Sequence, residues 1–191
     1  DVLRDKKTIG KKVAIIGAGG IGFDVGEFLV HKHAKSQKAE KEQWYKEWGV
    51  DTALEHRSGL VDAQVLPAER DVYLLQRKES SVGKNLGKTS GWVHRATLKH
   101  KNVTMIAGCQ YDLIDDQGLH ITVNGQKRIL DVDHVIMCAG QESNRALADE
   151  LIALGAEKQG MKVHVVGGAD LAAELDAKRA INQGSRLAAS I

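Results

Sequence analysis

Long apolar runs are missing from this 191-residue sequence. No stretch of about 18 apolar residues occurs, so nothing reads as a membrane span. One sign of charge does not dominate either. Lys and Arg number 27 against 25 Asp and Glu, a formal net charge of +2. That balance gives no strong field to attract nucleic acid or a membrane surface. No signal peptide is read at the start. Cysteine is scarce: Cys109 and Cys138 are far apart and outside any C-x-x-C. Each sits at or near the end of an apolar run. A buried, unpaired thiol is expected for both, with a disulfide or metal site as the alternative. This usage fits a reducing cytoplasm. The first residue is Asp1, not Met, so the chain reads as a piece of a longer protein. Its length allows one full domain plus part of another.

What is present centres on Lys12-Val13-Ala14-Ile15-Ile16-Gly17-Ala18-Gly19-Gly20-Ile21-Gly22. An apolar, mostly β-branched run predicts a strand buried on both faces. The glycines that follow fit G-x-G-x-x-G, and residues 23–30 predict a helix. Gly17 permits the tight turn off the strand, and Gly19 leaves room for a pyrophosphate against the backbone. Gly22 lets the helix lie close to the strand. The free N–H groups and the positive dipole end of that helix then face the anion. Dinucleotide binding is the functional reading, and a plain structural βα turn is the alternative.

Residues 32–70 depart from a compact βαβ unit. Residues 32–46 are rich in Lys, Glu and Gln, and Trp44, Tyr45 and Trp48 add a local aromatic cluster. This predicts a mostly helical insertion in which Trp44 and Trp48, one turn apart, share a face. Packing on the parent domain and a partner interface are both open readings. The fingerprint expects an acid about 20 positions beyond the glycines. Glu40 and Glu42 stand there, but in a charged helical stretch rather than at a strand end. The next strand is residues 71–76, and its end carries Gln76-Arg77-Lys78. An acid there would bind a free ribose 2′-hydroxyl, whereas two cations pair with a 2′-phosphate. NADPH is therefore expected over NADH, against the alternative of a solvated basic turn.

Residues 79–90 form a Gly/Ser/Lys-rich loop. Gly87-Lys88-Thr89 lacks the earlier glycine of a P-loop. Residues 91–101 predict a helix carrying Trp92, Val93 and Leu98 inward. Arg95 is a candidate phosphate contact or a solvated surface residue. Residues 103–106 predict a short strand, and residues 111–130 an antiparallel meander. Its hairpin turns fall at Asp115-Asp116-Gln117-Gly118 and Asn124-Gly125. Residues 134–138 form a buried strand ending in Ala139-Gly140. The tail predicts a helix with its linker at 142–155, a strand at 163–166 and a helix at 171–191.

A Gly-rich βα turn, a basic second strand end, a meander and a strand ending in Ala-Gly resemble the NAD(P)H domain of two-dinucleotide-domain flavoenzymes. Val163-His164-Val165-Val166-Gly167-Gly168-Ala169-Asp170 is similar to their strand-Gly-Asp motif, whose Asp meets the flavin ribityl chain. The likeness narrows at Leu75-Gln76-Arg77-Lys78, Gly87-Lys88-Thr89-Ser90-Gly91-Trp92, Cys138-Ala139-Gly140-Gln141-Glu142 and Glu174-Leu175-Asp176-Ala177. These resemble the bacterial NADPH-dependent 2,4-dienoyl-CoA reductases of unsaturated fatty acid β-oxidation. The resemblance covers essentially the whole chain. It implies a missing N-terminal barrel with FMN and a 4Fe–4S cluster, and a missing first half of an FAD domain.

The expected fold is α/β. A connector at 1–9 leads to a Rossmann-like NADPH domain at 10–138, with a parallel sheet, a meander and an insertion at about 32–70. The last part of an FAD domain follows at 139–191. Candidate cofactor contacts are Gly17, Gly19, Gly20, Ile21, Gly22, Gln76, Arg77, Lys78, Trp92, Arg95, Ala139, Gly140 and Asp170. No catalytic or metal-binding residue is expected, because hydride transfer is the cofactor's own chemistry. By itself the chain is expected to leave FAD unbound and to be inactive, and its uncovered apolar faces are expected to drive homodimerisation or to pack in a non-parental way. Rival readings are a trimethylamine dehydrogenase-like or disulfide-reductase-like flavoenzyme, the latter lacking a C-x-x-C here, and a non-catalytic NADPH-sensing module.

Overall fold

The computed structural model describes residues 2–4, 7–32, 36–172 and 177–191. Asp1, Asp5 and Lys6 of the connector lie outside them, as do residues 33–35 of the insertion. So does Glu174-Leu175-Asp176, part of the resemblance, together with Ala173. In chain order the elements are β1 (Lys12–Ile16), α1 (Gly20–Val30), α2 (Gln37–Glu47), β2 (Asp71–Leu75), α3 (Gly91–His100) and β3 (Thr104–Ile106). Then come β4 (Cys109–Asp115), β5 (Gly118–Val123), β6 (Gln126–Leu130), β7 (His134–Met137), α4 (Ala146–Ala153) and α5 (Ala177–Ala188). Two compact units divide the chain, Asp1–Ala139 and Gly140–Ile191.

The first unit is an α/β Rossmann-like fold. Its parallel sheet has the order β3-β2-β1-β7. The run Val13 to Ile16 is buried on both sides because β1 is an interior strand. Successive side chains of a strand point to opposite faces. Val13 and Ile15 pack with Phe23 and Leu29 of α1 and Leu98 of α3. Ala14 and Ile16 pack with Leu119, Ile121 and Val123 of the separate antiparallel sheet β4-β5-β6. The sheet is thus covered by helices on one face and by the meander on the other. The expected Asn-Gly hairpin is formed. Asn124 and Gly125 have φ of 51° and 74°, the pair of positive values that a two-residue turn between twisted strands needs. A bulge between Tyr111 and Leu113 is an addition, and Asp112 there accepts the Thr122 hydroxyl at 2.7 Å.

The insertion differs from its expected form. Among its described residues only Gln37–Glu47 is α-helical, started by Ser36, whose hydroxyl accepts the Ala39 N–H at 3.3 Å. Beyond Trp48, positive φ values at Gly49, Leu54, Ser58 and Gly59 keep turning the chain out of helical geometry. The segment is nonetheless anchored on the unit. Trp44 stacks on Trp48 at 5.8 Å, and Trp48 meets Trp92 edge-on at 6.4 Å and His100 at 5.4 Å. Lys101, wholly buried, reaches Glu47 Oε1 and the Leu66 carbonyl, each at 3.0 Å. Arg70 closes the insertion by donating to the carbonyls of Gly10 and Leu29 at 3.1 Å each. No helix among the described residues is long and apolar enough to cross a membrane.

The second unit contains α4, α5 and two short 3₁₀ turns, Ala156–Gln159 and Gly167–Ala169. The strand expected at 163–166 is not formed, since no described segment of this unit offers it a ladder partner. Helix α5 is described from Ala177 rather than from residue 171. Among the described residues only Ala156, Gly167 and Ala172 are buried, while Leu147, Leu154, Leu171 and Ile181 are exposed. With so little apolar area removed from water, the described residues of this unit form no core of their own.

Candidate functional site

Strand register builds the site. Ile16 pairs with Leu75 on one side and with Met137 on the other, so β1, β2 and β7 end level. The turns that leave them emerge at one carboxyl edge. β1 lies where the chain's order across the sheet reverses, with β2 on one side and β7 on the other. That is the crevice in which open α/β sheets take ligands.

The β1–α1 turn is held from both neighbours. Gly17 N–H donates to the Leu75 carbonyl at 2.9 Å, and Cys138 N–H donates to the Ile16 carbonyl at 2.8 Å. Gly17 has φ of 114°, and a Cβ on it would stand 2.5 Å from the Cys138 carbonyl oxygen. A Cβ on Gly22 would stand 1.8 Å from the Gly17 carbonyl oxygen, so the first turn of α1 rests directly on that backbone. Gly19 and Gly20 are exposed, and a Cβ on either would meet nothing within 4 Å. Ile21 is exposed as well. Gly19 caps α1 without a side-chain bond, and no acid occupies the first turn. The helix therefore offers backbone N–H groups and a positive dipole end to an open surface.

At the end of β2, Arg77 and Lys78 are exposed and Gln76 is half-buried. Glu40 and Glu42 are exposed on α2, away from any strand end. The Gln76 side-chain nitrogen is engaged within its own loop. Its side-chain amide donates to the carbonyls of Lys78 at 2.9 Å and Ser80 at 2.5 Å. Arg95 is likewise engaged, donating from Nη1 to the Gly83 carbonyl at 2.8 Å and so tying α3 to the preceding loop. Trp92, expected inward with Val93 and Leu98, is 57% exposed. Its ring leans on Trp48 of the insertion, which sequence periodicity could not place beside it. Leu98 is fully buried and Val93 half-buried. Ala139 follows β7 at the edge, exposed, and Gly140 is the next residue, where the second unit begins.

In the second unit, Asp170 follows the Gly167–Ala169 turn rather than opening a helix, contrary to expectation. Its carboxylate accepts from Gln183 Nε2 at 2.7 Å, and Gln183 Oε1 accepts the Gly167 N–H at 2.8 Å. The Glu47–Lys101 pair and the Gln76 bridge carry no motif and are visible only in three dimensions.

Both thiols are free, Cys109 buried and Cys138 half-buried. Burial pushes both above the ordinary thiol range. Burial also raises the Tyr111 hydroxyl to about 12, with Cys109 adding to the shift and Arg77 opposing it. The thiolate is the reactive form, so alkylation at neutral pH is expected to be slower than for a free cysteine. Its rate should still be climbing above about pH 8.5, the ordinary thiol value. Peptide mapping after iodoacetamide should find Cys138 modified before Cys109. Fast labelling of Cys109 in the folded protein would contradict this burial.

The profile of the family described as pyridine nucleotide-disulphide oxidoreductase matches residues 1–167. Among solved structures, a 2-naphthoyl-CoA reductase in complex with 2-naphthoyl-CoA is similar over 100% of this chain and 23% of that one. Its identity is 20% and its TM-score 0.63. Histamine dehydrogenase from Rhizobium sp. 4-9 is similar over 98% of this chain and 23% of that one, at 18% identity and a TM-score of 0.59. At these identities the likeness is one of fold. The chain spans under a quarter of the length of either structure.

Proposed function

The chain belongs to the pyridine nucleotide-disulphide oxidoreductase family, and from that premise we propose that its first unit binds NADPH for hydride delivery to FAD. It is a flavin- and NAD(P)H-linked oxidoreductase module. The finer reading is the NADPH-binding part of a 2,4-dienoyl-CoA reductase acting in unsaturated fatty acid β-oxidation. The observation that carries the NADPH reading is one edge with two features: an open, uncapped helix start at Gly19-Gly20-Ile21-Gly22, and two exposed cations, Arg77 and Lys78, ending the adjacent strand. The dienoyl-CoA assignment rests on the sequence resemblance at residues 75–78, 87–92, 138–142 and 174–177.

The residues fit the dinucleotide in kind. The N–H groups of residues 20–22 take the pyrophosphate, with Gly19 leaving space for it. Arg77 and Lys78 pair with the 2′-phosphate. Ala139 would border the nicotinamide half of the crevice, and Trp92 and Arg95 would flank the loop on the adenosine side. Nicotinamide supplies the hydride when bound, and the protein supplies binding and orientation. FAD has a poorer fit to this chain alone. Asp170 would meet its ribityl chain, but that carboxylate is held by Gln183, and the described residues of the unit form no sheet and no glycine turn between a strand and a helix to enclose a flavin. FAD, FMN and an iron–sulfur cluster therefore belong, in this reading, with further polypeptide: an N-terminal barrel and the other half of an FAD domain. The setting is the cytoplasm.

Purified chain should bind NADPH, remain colourless with added FAD, and oxidise no NADPH in the presence of a dienoyl-CoA. Size-exclusion chromatography should show self-association through the uncovered apolar side chains of the second unit. Absence of NADPH binding in calorimetry would defeat the cofactor reading. Stoichiometric flavin uptake, or turnover by this chain alone, would defeat the division of labour.

A further inference from the structure

We infer that Gln76 is a positioning residue for nucleotide selectivity: it shapes the loop that presents Arg77 and Lys78 and does not itself read the ribose. This rests on the proposal that those two cations meet a 2′-phosphate. The main chain of Gln76 extends the sheet. Its N–H donates to the Ile106 carbonyl at 3.0 Å, and its carbonyl accepts the Cys109 N–H at 2.9 Å. That fixes where its side chain starts. The side-chain amide then folds over the next residues, one nitrogen donating to Lys78 O at 2.9 Å and to Ser80 O at 2.5 Å. A primary amide nitrogen carries two hydrogens, so both are taken. The Lys78 carbonyl receives a further bond from the Gly108 N–H at 3.0 Å. Residues 76–80 are thus closed into a fixed turn by one side chain and one backbone donor. Arg77 and Lys78 stand within it with exposed side chains.

Two long, exposed cations on a loose loop would have to be ordered when the ligand arrives, and that cost comes out of affinity. A preformed loop avoids much of it. The benefit falls on the 2′-phosphate contact alone, because the pyrophosphate is met on another segment, residues 19–22. Gln76→Leu keeps the approximate volume and removes both donors.

The test titrates the full chain and three variants with NADPH and with NADH: Gln76→Leu, Arg77→Ala/Lys78→Ala, and the triple variant. Hydrogen exchange of a peptide spanning residues 77–81 accompanies it. Gln76→Leu is expected to weaken NADPH about tenfold, the effect of losing one to two net hydrogen bonds' worth of order. NADH should stay within about twofold, with faster exchange at 77–81 and an unchanged melting temperature. In the Arg77→Ala/Lys78→Ala background the same change should have no further effect on NADPH, since a positioning residue acts through what it positions. A parent chain with no preference for NADPH would sink the 2′-phosphate reading and this inference with it. A parent that prefers NADPH overturns this inference alone in any of three cases: Gln76→Leu leaves exchange at 77–81 unchanged, it weakens NADH as much as NADPH, or its effect persists in the triple variant. A lowered melting temperature with equal loss of both nucleotides would count as the second of these.

Discussion

Gly19→Val is expected to abolish NADPH binding while the fold survives. The backbone at Gly19 has φ of −86° and ψ of −173°, an extended conformation that valine adopts readily. A Cβ there meets nothing within 4 Å, so the substitution creates no internal clash. The folded state loses only the better capping residue, about 1 kcal/mol. The added methyl groups instead project from the turn into the space where a pyrophosphate must approach the N–H groups of residues 20–22. The expected loss is at least about a hundredfold, or about 3 kcal/mol of binding free energy. Three residues away the opposite result is expected. A Cβ on Gly22 would lie 1.8 Å from the Gly17 carbonyl oxygen, and backbone on both sides cannot yield. Gly22→Ala should therefore cost roughly 3 kcal/mol of stability or more and lower the melting temperature by about 10 °C. Calorimetry and circular dichroism on the two variants separate the roles. A Gly19→Val protein that binds NADPH with parental affinity would place the nucleotide elsewhere.

Arg77→Ala with Lys78→Ala is expected to convert an NADPH-preferring protein into one that barely distinguishes the two nucleotides. Each cation offers a charge-assisted hydrogen bond to a 2′-phosphate, and their joint loss should weaken NADPH by roughly 2–4 kcal/mol. That is about 30- to 1,000-fold in affinity. NADH carries a hydroxyl at that position and should change little. Both side chains are exposed, so folding stability should stay within about 0.5 kcal/mol. The effect should shrink as salt rises, because exposed charge pairs are screened over about 10 Å at 0.1 M. Equal losses for NADPH and NADH in calorimetry would rule out the 2′-phosphate role.

Local chemistry accounts for the parts of the fold legible in the chain. A β-branched run followed by glycines at fixed offsets predicts β1, its turn and α1, because burial on both faces and positive φ restrict residue type at each position. Asn124-Gly125 predicts its hairpin for the same reason. Residues 163–166 have the composition of a strand and form none, because a strand exists only with a neighbour. Trp92 shows the same limit at the level of one side chain. Helical periodicity turns it inward, yet it leans on Trp48, whose position depends on how a long insertion returns to the domain.

The sequence by itself determined the α/β class, the turn that opens the candidate site and the basic end of the second strand, since each is set within a few consecutive residues. Only the tertiary structure decided which of those residues share an edge. Parallel register carries Gly17, Gln76 and Cys138 to level strand ends, although they are separated by tens of residues. It also decided what the polar side chains do there. Gln76 and Arg95, read as candidate cofactor contacts, hold loop carbonyls, while Glu47 and Lys101, which no sequence motif singles out, are buried against each other across 54 positions. The cause is the range of the forces involved. Turn geometry and strand propensity act between neighbours in sequence, whereas a hydrogen-bond donor takes whichever acceptor packing brings within about 3 Å of it.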